Sequence, residues 1–429
     1  MKVAFYTLGC KVNQYETQII QERFSENGFD VVDCDKEADI YVINSCTVTA
    51  TGDKKTRQIV HRFKKKNPSA IVVLTGCFPQ AYPEEATAIK EADIITGTRN
   101  RNGIFDLVRQ FISDGRRIVE IVPHEKDEAF EKMCVKGLFD RTRAFIKIQD
   151  GCNRYCSYCI IPTARGPLRS KAIDDITSEL SLLAKEGYRE VVLVGINLSF
   201  YGKEYGLRLI DAIKAACAVE GIERVRLGSI EPELITDEDL SEMARLKEFC
   251  PQFHLSLQSG CTDTLKRMNR HYTADEYAEL VEKIRRAFEN PSITTDIMVG
   301  FPGEDEREFK ESCEFVEKVK IAKAHVFSYS RRPNTRADRM PNQVTKAEKE
   351  QRSRILIGVC DRVREEFLQS QVGLSCKVLF ETLDENLGYF GYSENYTPIY
   401  VKCEQDVRGE IKTVKITAAY SDYCVGELA

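Results

Sequence analysis

The stretch QDGCNRYCSYCIIPTARG, Gln149 to Gly166, places Cys152, Cys156 and Cys159 within eight residues. A closed structural zinc site takes four protein ligands, and no fourth Cys or His follows nearby. Thiolates in such a cluster bind zinc or an iron–sulfur centre. On a cubane of four irons, three cysteines leave one iron free for an exogenous ligand. Ligand count alone equally admits a three-Cys zinc site completed by water or a distant residue. At this point both stay open.

The surroundings say where the loop belongs. It follows AFIKIQ, the first of six apolar runs separated by helical stretches; the others are EVVLVGI, RVRLGSI, FHLSLQ, ITTDIMVGF and AHVFSYS. Six parallel strands with intervening helices predict a partial or complete βα barrel, whose chemistry sits at the strand C-terminal face. A three-cysteine loop after the first strand lies on that face.

Upstream, VAFYTLGC, DIYVINSC and AIVVLTGC are apolar, β-branched runs, and a fourth, ADIITGT, follows them. They predict a doubly wound parallel sheet. Cys10, Cys46 and Cys77 each fall at or just past a strand C-terminus. In a parallel sheet those ends share one edge, where ligands bind. Taken singly, each is a small residue suited to burial; three at equivalent ends point to a joint metal site.

Downstream, a loop SRRPNTRADRMPNQ precedes a charged helix from about Thr345 to Gln369. The remaining β-rich runs with Gly and Asn turns predict a small barrel of about five strands. The expected organisation is an N-terminal domain over 1–122, a charged linker over 123–143, a barrel with its C-terminal helix over 144–370, and a small β domain over 371–429. The fold class is α/β with an appended β-barrel.

Composition sets limits. The 429 residues carry a net charge near −5, and the segment from Val372 has five Lys/Arg against nine Asp/Glu. Bulk attraction to nucleic acid is therefore not written into the chain, and any RNA contact must be local or rest on shape and stacking. The seven Lys/Arg from Lys54 to Lys66 form the densest basic run, although Ile59, Val60 and Phe63 fit the buried side of an ordinary helix. Arg165, Arg169, Arg331 and Arg332 flank the expected barrel mouth and read as phosphate ligands. No apolar stretch approaches the length of a membrane span, and the N-terminus reads as a strand rather than a signal peptide. A cytoplasmic location is expected, where sixteen cysteines are not a disulfide framework.

The spacing Cys152-x3-Cys156-x2-Cys159, with Tyr158 before the third cysteine, resembles the radical S-adenosylmethionine signature. TLGCKVNQYE, NSCTVT and TGCFPQ ahead of it, and the β tail behind, resemble the methylthiotransferase family from end to end. The resemblance implies two [4Fe-4S] clusters, on Cys152, Cys156 and Cys159 and on Cys10, Cys46 and Cys77. The first would bind S-adenosylmethionine and the second a sulfur species. The cofactor is both methyl donor and radical source, and the tail is a TRAM-like RNA-binding module. Tyr158, Asn197, Ser229, Glu231, Gln258 and Asp296 are the implied cofactor contacts; Ser229 and Gln258 serve equally as loop hydrogen-bonding residues.

Within the family, TLGCKVNQYET, with Lys11, Val12 and Gln14, resembles the branch that methylthiolates N6-threonylcarbamoyladenosine beside the tRNA anticodon. Isopentenyladenosine of tRNA and a ribosomal-protein aspartate are the substrates of the other branches. The implied partners are a tRNA anticodon stem-loop, an external electron donor and a sulfur source. The rival from another class is a non-catalytic, zinc-stabilised RNA-binding protein.

Overall fold

A computed structural model describes residues 1–135, 137 and 142–429. The connection predicted over 123–143 thus lies partly outside the described residues.

The N-terminal sheet has six parallel strands in the order Asp30–Val32, Lys2–Thr7, Ile40–Ser45, Ile71–Gly76, Ile94–Thr96, Ile118–Glu120. The two edge strands have three residues each and too short an apolar pattern to stand out in the sequence. Side-chain alternation puts Ile40 and Val42 on one face with Phe24 and Phe105, and Tyr41 and Ile43 on the other with Ile59, Val60 and Phe63. Helices Lys11–Glu26 and Ile104–Asp114 cover the first face and Ala50–Lys66 the second. That is the doubly wound arrangement the runs predicted. Strand order reverses direction at Lys2–Thr7, whose neighbours are Asp30–Val32 and Ile40–Ser45, so the loops after Thr7 and Ser45 open a crevice between them.

All six runs of the second region are strands: Arg143–Asp150, Glu190–Gly195, Arg224–Leu227 continuing as Ser229–Ile230, Gln252–Leu255, Ser292–Val299 and Lys323–Ser328. They pair in parallel in chain order, and the break at Gly228 passes the third strand from one half of the sheet to the other. Among the described residues the first and last strands do not pair, so the barrel is partial. The N-terminal domain docks on it through the first turn of helix Lys11–Glu26, where Val12 packs on Val192 and Val194.

Helix Lys346–Ser370 starts at a Thr345–Glu348 capping box, which satisfies the first orphan amides. It delivers Leu368 into the core of a closed five-stranded barrel, Ser375–Asp384, Gly388–Ser393, Pro398–Val401, Ile411–Ala419 and Cys424–Leu428. That small barrel is clamped to the N-terminal ends of the larger barrel's strands. Arg226 donates to the carbonyls of Ser393 and Glu394, and Arg224 to those of Lys377 and Tyr392. Glu190, fully buried, holds both guanidiniums.

Candidate active site between two cysteine trios

Cys10 caps helix Lys11–Glu26, Cys46 follows strand Ile40–Ser45, and Cys77 opens helix Cys77–Ala81. Their three strands are adjacent in the sheet, so the trio converges on one edge. Gly9 makes the approach possible: its φ is +108°, and a Cβ there would lie 2.7 Å from Cys46 Cβ, which only glycine avoids. Burial, then the neighbouring Cys77, pushes the Cys46 thiol up to about 12. Burial likewise raises Cys77, opposed by Arg165. Both thiols therefore keep their protons at neutral pH.

The second trio lies in the loop after strand Arg143–Asp150. Asn197 Nδ2 donates to Cys152 Sγ at 3.5 Å, and Arg270 Nη1 to Cys156 Sγ at 3.3 Å. Arg270 is itself fixed by Glu231 and by the Ser256 carbonyl. Burial raises Cys152 and, together with Cys156, drives Cys159 well up.

Among the described residues neither trio has its three sulfurs all within 4.8 Å of one another. A tetrahedral Zn–S site needs S···S separations of about 3.8 Å, and in neither trio are all three sulfurs drawn that close. Asn197 Oδ1 is buried without a partner, an acceptor that a donor on a bound cofactor would satisfy. The residues present therefore fit an open-site cluster and that cofactor at the barrel mouth.

The two trios face one another. Helix Cys77–Ala81 packs on Ile161–Arg165, just past Cys159. Arg165 is fully buried and donates to Cys77 Sγ, to both Glu16 carboxylate oxygens and to Asn13 Oδ1. On the opposite rim, Arg332 reaches Thr47 Oγ1 at 2.8 Å and the Asp53 carboxylate. The sheet edge is thus pinned over the barrel mouth at two points. A buried ion network backs the first: Glu16 meets Arg101, Lys147 and Arg165, and Asp150 meets Lys147, Arg165 and Arg169. Burial opposes ionisation of Glu16, but the three cations outweigh it and hold its carboxyl down at about 2.

This corrects the reading of Arg165, Arg169 and Arg332 as phosphate ligands. All three are buried and spent on protein acceptors, while Arg331 is exposed and paired with Asp338. Three of the seven cations in the helix run from Lys54 are also committed: Arg57 pairs with Glu85, Lys64 with Asp93, and Lys66 with the Asp35 and Lys36 carbonyls.

A cavity of about 590 Å³ joins the three units. Gly9, Cys10, Lys11 and Val12 form one wall, the barrel's inner residues Ser229, His254, Thr294, Asp296 and His325 another, and Tyr392 and Tyr396 of the small barrel a third. Lys11 is open to this space, yet its walls crowd the ammonium: lost hydration, then Arg143 and Arg226, lower its pKa to about 8.

Of the residues expected at the cofactor, Asn197 and Glu231 gather about the second trio, directly and through Arg270. Ser229 and Asp296 line the cavity, Asp296 facing His254 at 3.4 Å. Tyr158 buries its ring edge-on to Phe301 at 6.4 Å. Gln258 has a left-handed backbone (φ 70°) and exchanges backbone hydrogen bonds with strand Ser292–Val299. Arg270 was not anticipated. Its only signal is its place in the segment HLSLQSGCTDTLKRMNRHYT.

Comparison with known proteins agrees with this architecture. Residues 2–97 match the model described as "Uncharacterized protein family UPF0004", and 146–316 match the radical SAM superfamily. The threonylcarbamoyladenosine tRNA methylthiotransferase MtaB of Bacillus subtilis is 39% identical over 99% of this chain and 96% of its own. That of Aquifex aeolicus is 37% identical over 90% and 94%. The tRNA-2-methylthio-N(6)-dimethylallyladenosine synthase of Finegoldia magna is 31% identical over 98% and 93%. In fold, the chain is similar to the radical S-adenosylmethionine methyltransferase TsrM of Kitasatospora setae, with a TM-score of 0.57 at 14% identity over 79% of this chain and 74% of that one. On its near full-length identity to these relatives and its radical SAM barrel, the chain belongs to the radical S-adenosylmethionine tRNA methylthiotransferase family.

Proposed function

We propose that the protein inserts a methylthio group at C2 of N6-threonylcarbamoyladenosine in the anticodon loop of tRNA. The observation that carries this reading is the single cavity bounded by Cys10 of the first trio, the barrel interior and the tyrosines of the C-terminal barrel. The B. subtilis and A. aeolicus relatives, at 39% and 37% identity, favour the threonylcarbamoyl substrate over the dimethylallyl one of the relative at 31%.

Replacing hydrogen on an unactivated C–H with sulfur is beyond ordinary acid–base groups. A reduced cluster and S-adenosylmethionine, when bound, supply the radical chemistry this needs. The protein's part is position and shielding. Cys152, Cys156 and Cys159 would hold one [4Fe-4S] cluster, and Cys10, Cys46 and Cys77 a second that carries sulfur. Asn197 with its amide and Arg270 with its guanidinium donate hydrogen bonds to sulfurs that would hold the first cluster, and Arg165 to one that would hold the second. Asn197, Ser229, Glu231, Asp296 and the backbones of Tyr158 and Gln258 form the cofactor's surroundings. An adenine in an unpaired loop can enter the cavity without opening a duplex. Tyr392 and Tyr396, stacked on each other at 4.2 Å under the Arg143 guanidinium, close the cavity at the end away from the mouth. An external reductant and a sulfur source complete the reaction. The working domain boundaries are 1–122, 144–370 and 371–429. Among the described residues no helix is long and apolar enough to cross a membrane.

The test is anaerobic incubation of reconstituted protein with S-adenosylmethionine, reductant, sulfide and tRNA carrying either hypermodified adenosine, followed by mass spectrometry of the nucleosides. Methylthiolation of the threonylcarbamoyl nucleoside is expected. Exclusive methylthiolation of the isopentenyl one overturns the assignment.

A further inference from the structure

We propose that Lys11 is the residue that recognises the substrate's amino-acid carboxylate and so sets the choice of modified adenosine; this rests on the threonylcarbamoyl reading above. The cavity holds few charges. Asp296 faces His254, and the cations left over are Lys11 and Lys323. Among the described residues the close partner of the Lys11 ammonium is the Phe145 ring, at 5.9 Å, which is no counter-ion. Glu190, whose charge reaches it, is already bonded to Arg224 and Arg226. A lysine facing a cavity whose carboxylate, Asp296, is turned to His254 is placed to take an anion from the ligand.

Substrate chemistry selects Lys11 over Lys323. In an N6-carbamoyladenosine the far urea N–H folds back onto ring N1 and closes a planar six-membered ring. The amino-acid substituent therefore lies along the N1–C2 edge, and its carboxylate hangs beside the carbon to be modified. Sulfur for C2 would come from the cluster on Cys10, and Lys11 is the next residue, on the same wall. Lys323 begins its strand and adjoins no cysteine of either trio, whereas Lys11 leaves the chain beside Cys10 and extends its ammonium towards Arg143 and Arg226. An isopentenyl substituent carries no charge and leaves the Lys11 ammonium without a partner in a confined space. The same contact that favours one substrate thus penalises the other.

The experiment uses reconstituted full-length protein and two anticodon stem-loops, one with threonylcarbamoyladenosine and one with its carboxylate capped as the N-methylamide. Anaerobic binding and kcat/KM for methylthiolation are read on wild type, Lys11→Met and Lys11→Arg, with iron content measured on each. Wild type is expected to prefer the carboxylate by about 10- to 100-fold. Lys11→Met should lose that factor on the carboxylate RNA and little on the amide, while Lys11→Arg keeps most of the preference. Equal handling of the two RNAs by wild type overturns the proposal without recourse to any variant. So does a Lys11→Met protein of full iron content that retains the preference. If wild type methylthiolates neither RNA but does act on isopentenyladenosine, the substrate reading itself fails, a result distinct from either.

Discussion

Arg165 Nε donates to Cys77 Sγ across 3.2 Å, so a guanidinium from the loop behind the barrel's cysteines holds a thiol of the N-terminal sheet. It has no exposed surface and also serves Glu16, Asn13 and Asp150. The two units are therefore fixed to each other at the site where both must act.

Removing that charge should be costly. Arg165→Met leaves the Glu16 and Asp150 carboxylates buried with one cation fewer, a loss of about 3–5 kcal/mol. Urea unfolding should show it, and the Glu16→Gln/Arg165→Met pair should cost less than the two single losses added. Strict additivity would show that the network is not coupled.

The same network sets a pH dependence. Glu16 is held at about 2 against an ordinary 4.5, so its ionised form is favoured by folding. The contribution, of order 3 kcal/mol, is complete above about pH 5 and is lost as pH falls from 4.5 towards 2. Asp150 is lowered in the same direction by Lys147, Arg165 and Arg169 against its burial. Unfolding midpoints measured from pH 7 to pH 3 should fall more steeply for wild type than for Glu16→Gln. Parallel curves would refute the assignment.

Iron and sulfide analysis after anaerobic reconstitution should give about eight irons per chain for wild type and about four for the Cys152/Cys156/Cys159→Ala variant. Four in wild type and none in the variant would leave Cys10, Cys46 and Cys77 without a cluster.

Arg270 places positive charge 3.3 Å from Cys156 Sγ, and a donor there favours the more negative, reduced cluster. Arg270→Met should shift the midpoint potential of that cluster downward by tens of millivolts, read by an EPR-monitored redox titration. An unchanged potential would reduce Arg270 to a packing residue. Arg270→Lys should recover part of the shift, since it keeps charge but not the planar fork that also holds Glu231.

Much of this protein is local and therefore legible in the chain. The apolar runs ending at Cys10, Cys46 and Cys77 specify parallel strands, because a strand buried on both faces needs an unbroken apolar stretch. Parallel pairing then gathers their ends on one edge. The same holds for the six barrel strands and the loop that carries Cys152, Cys156 and Cys159. The number of those cysteines left zinc and iron–sulfur both open, and the resemblance carried by their spacing pointed to the radical chemistry.

What the chain alone left open were the partners of charged side chains. Arg165 and Arg332 looked like ligands for phosphate, and only docking of the sheet on the barrel turned them inward to Glu16 and Asp53. Arg270 gave no sign that it would reach Cys156, 114 residues away. A side chain's pattern of neighbours in sequence fixes its secondary structure, since backbone hydrogen bonds and burial periodicity are short-ranged. Which charge compensates which is decided by tertiary packing, because a buried ion must be paired wherever the fold happens to bring its counter-ion.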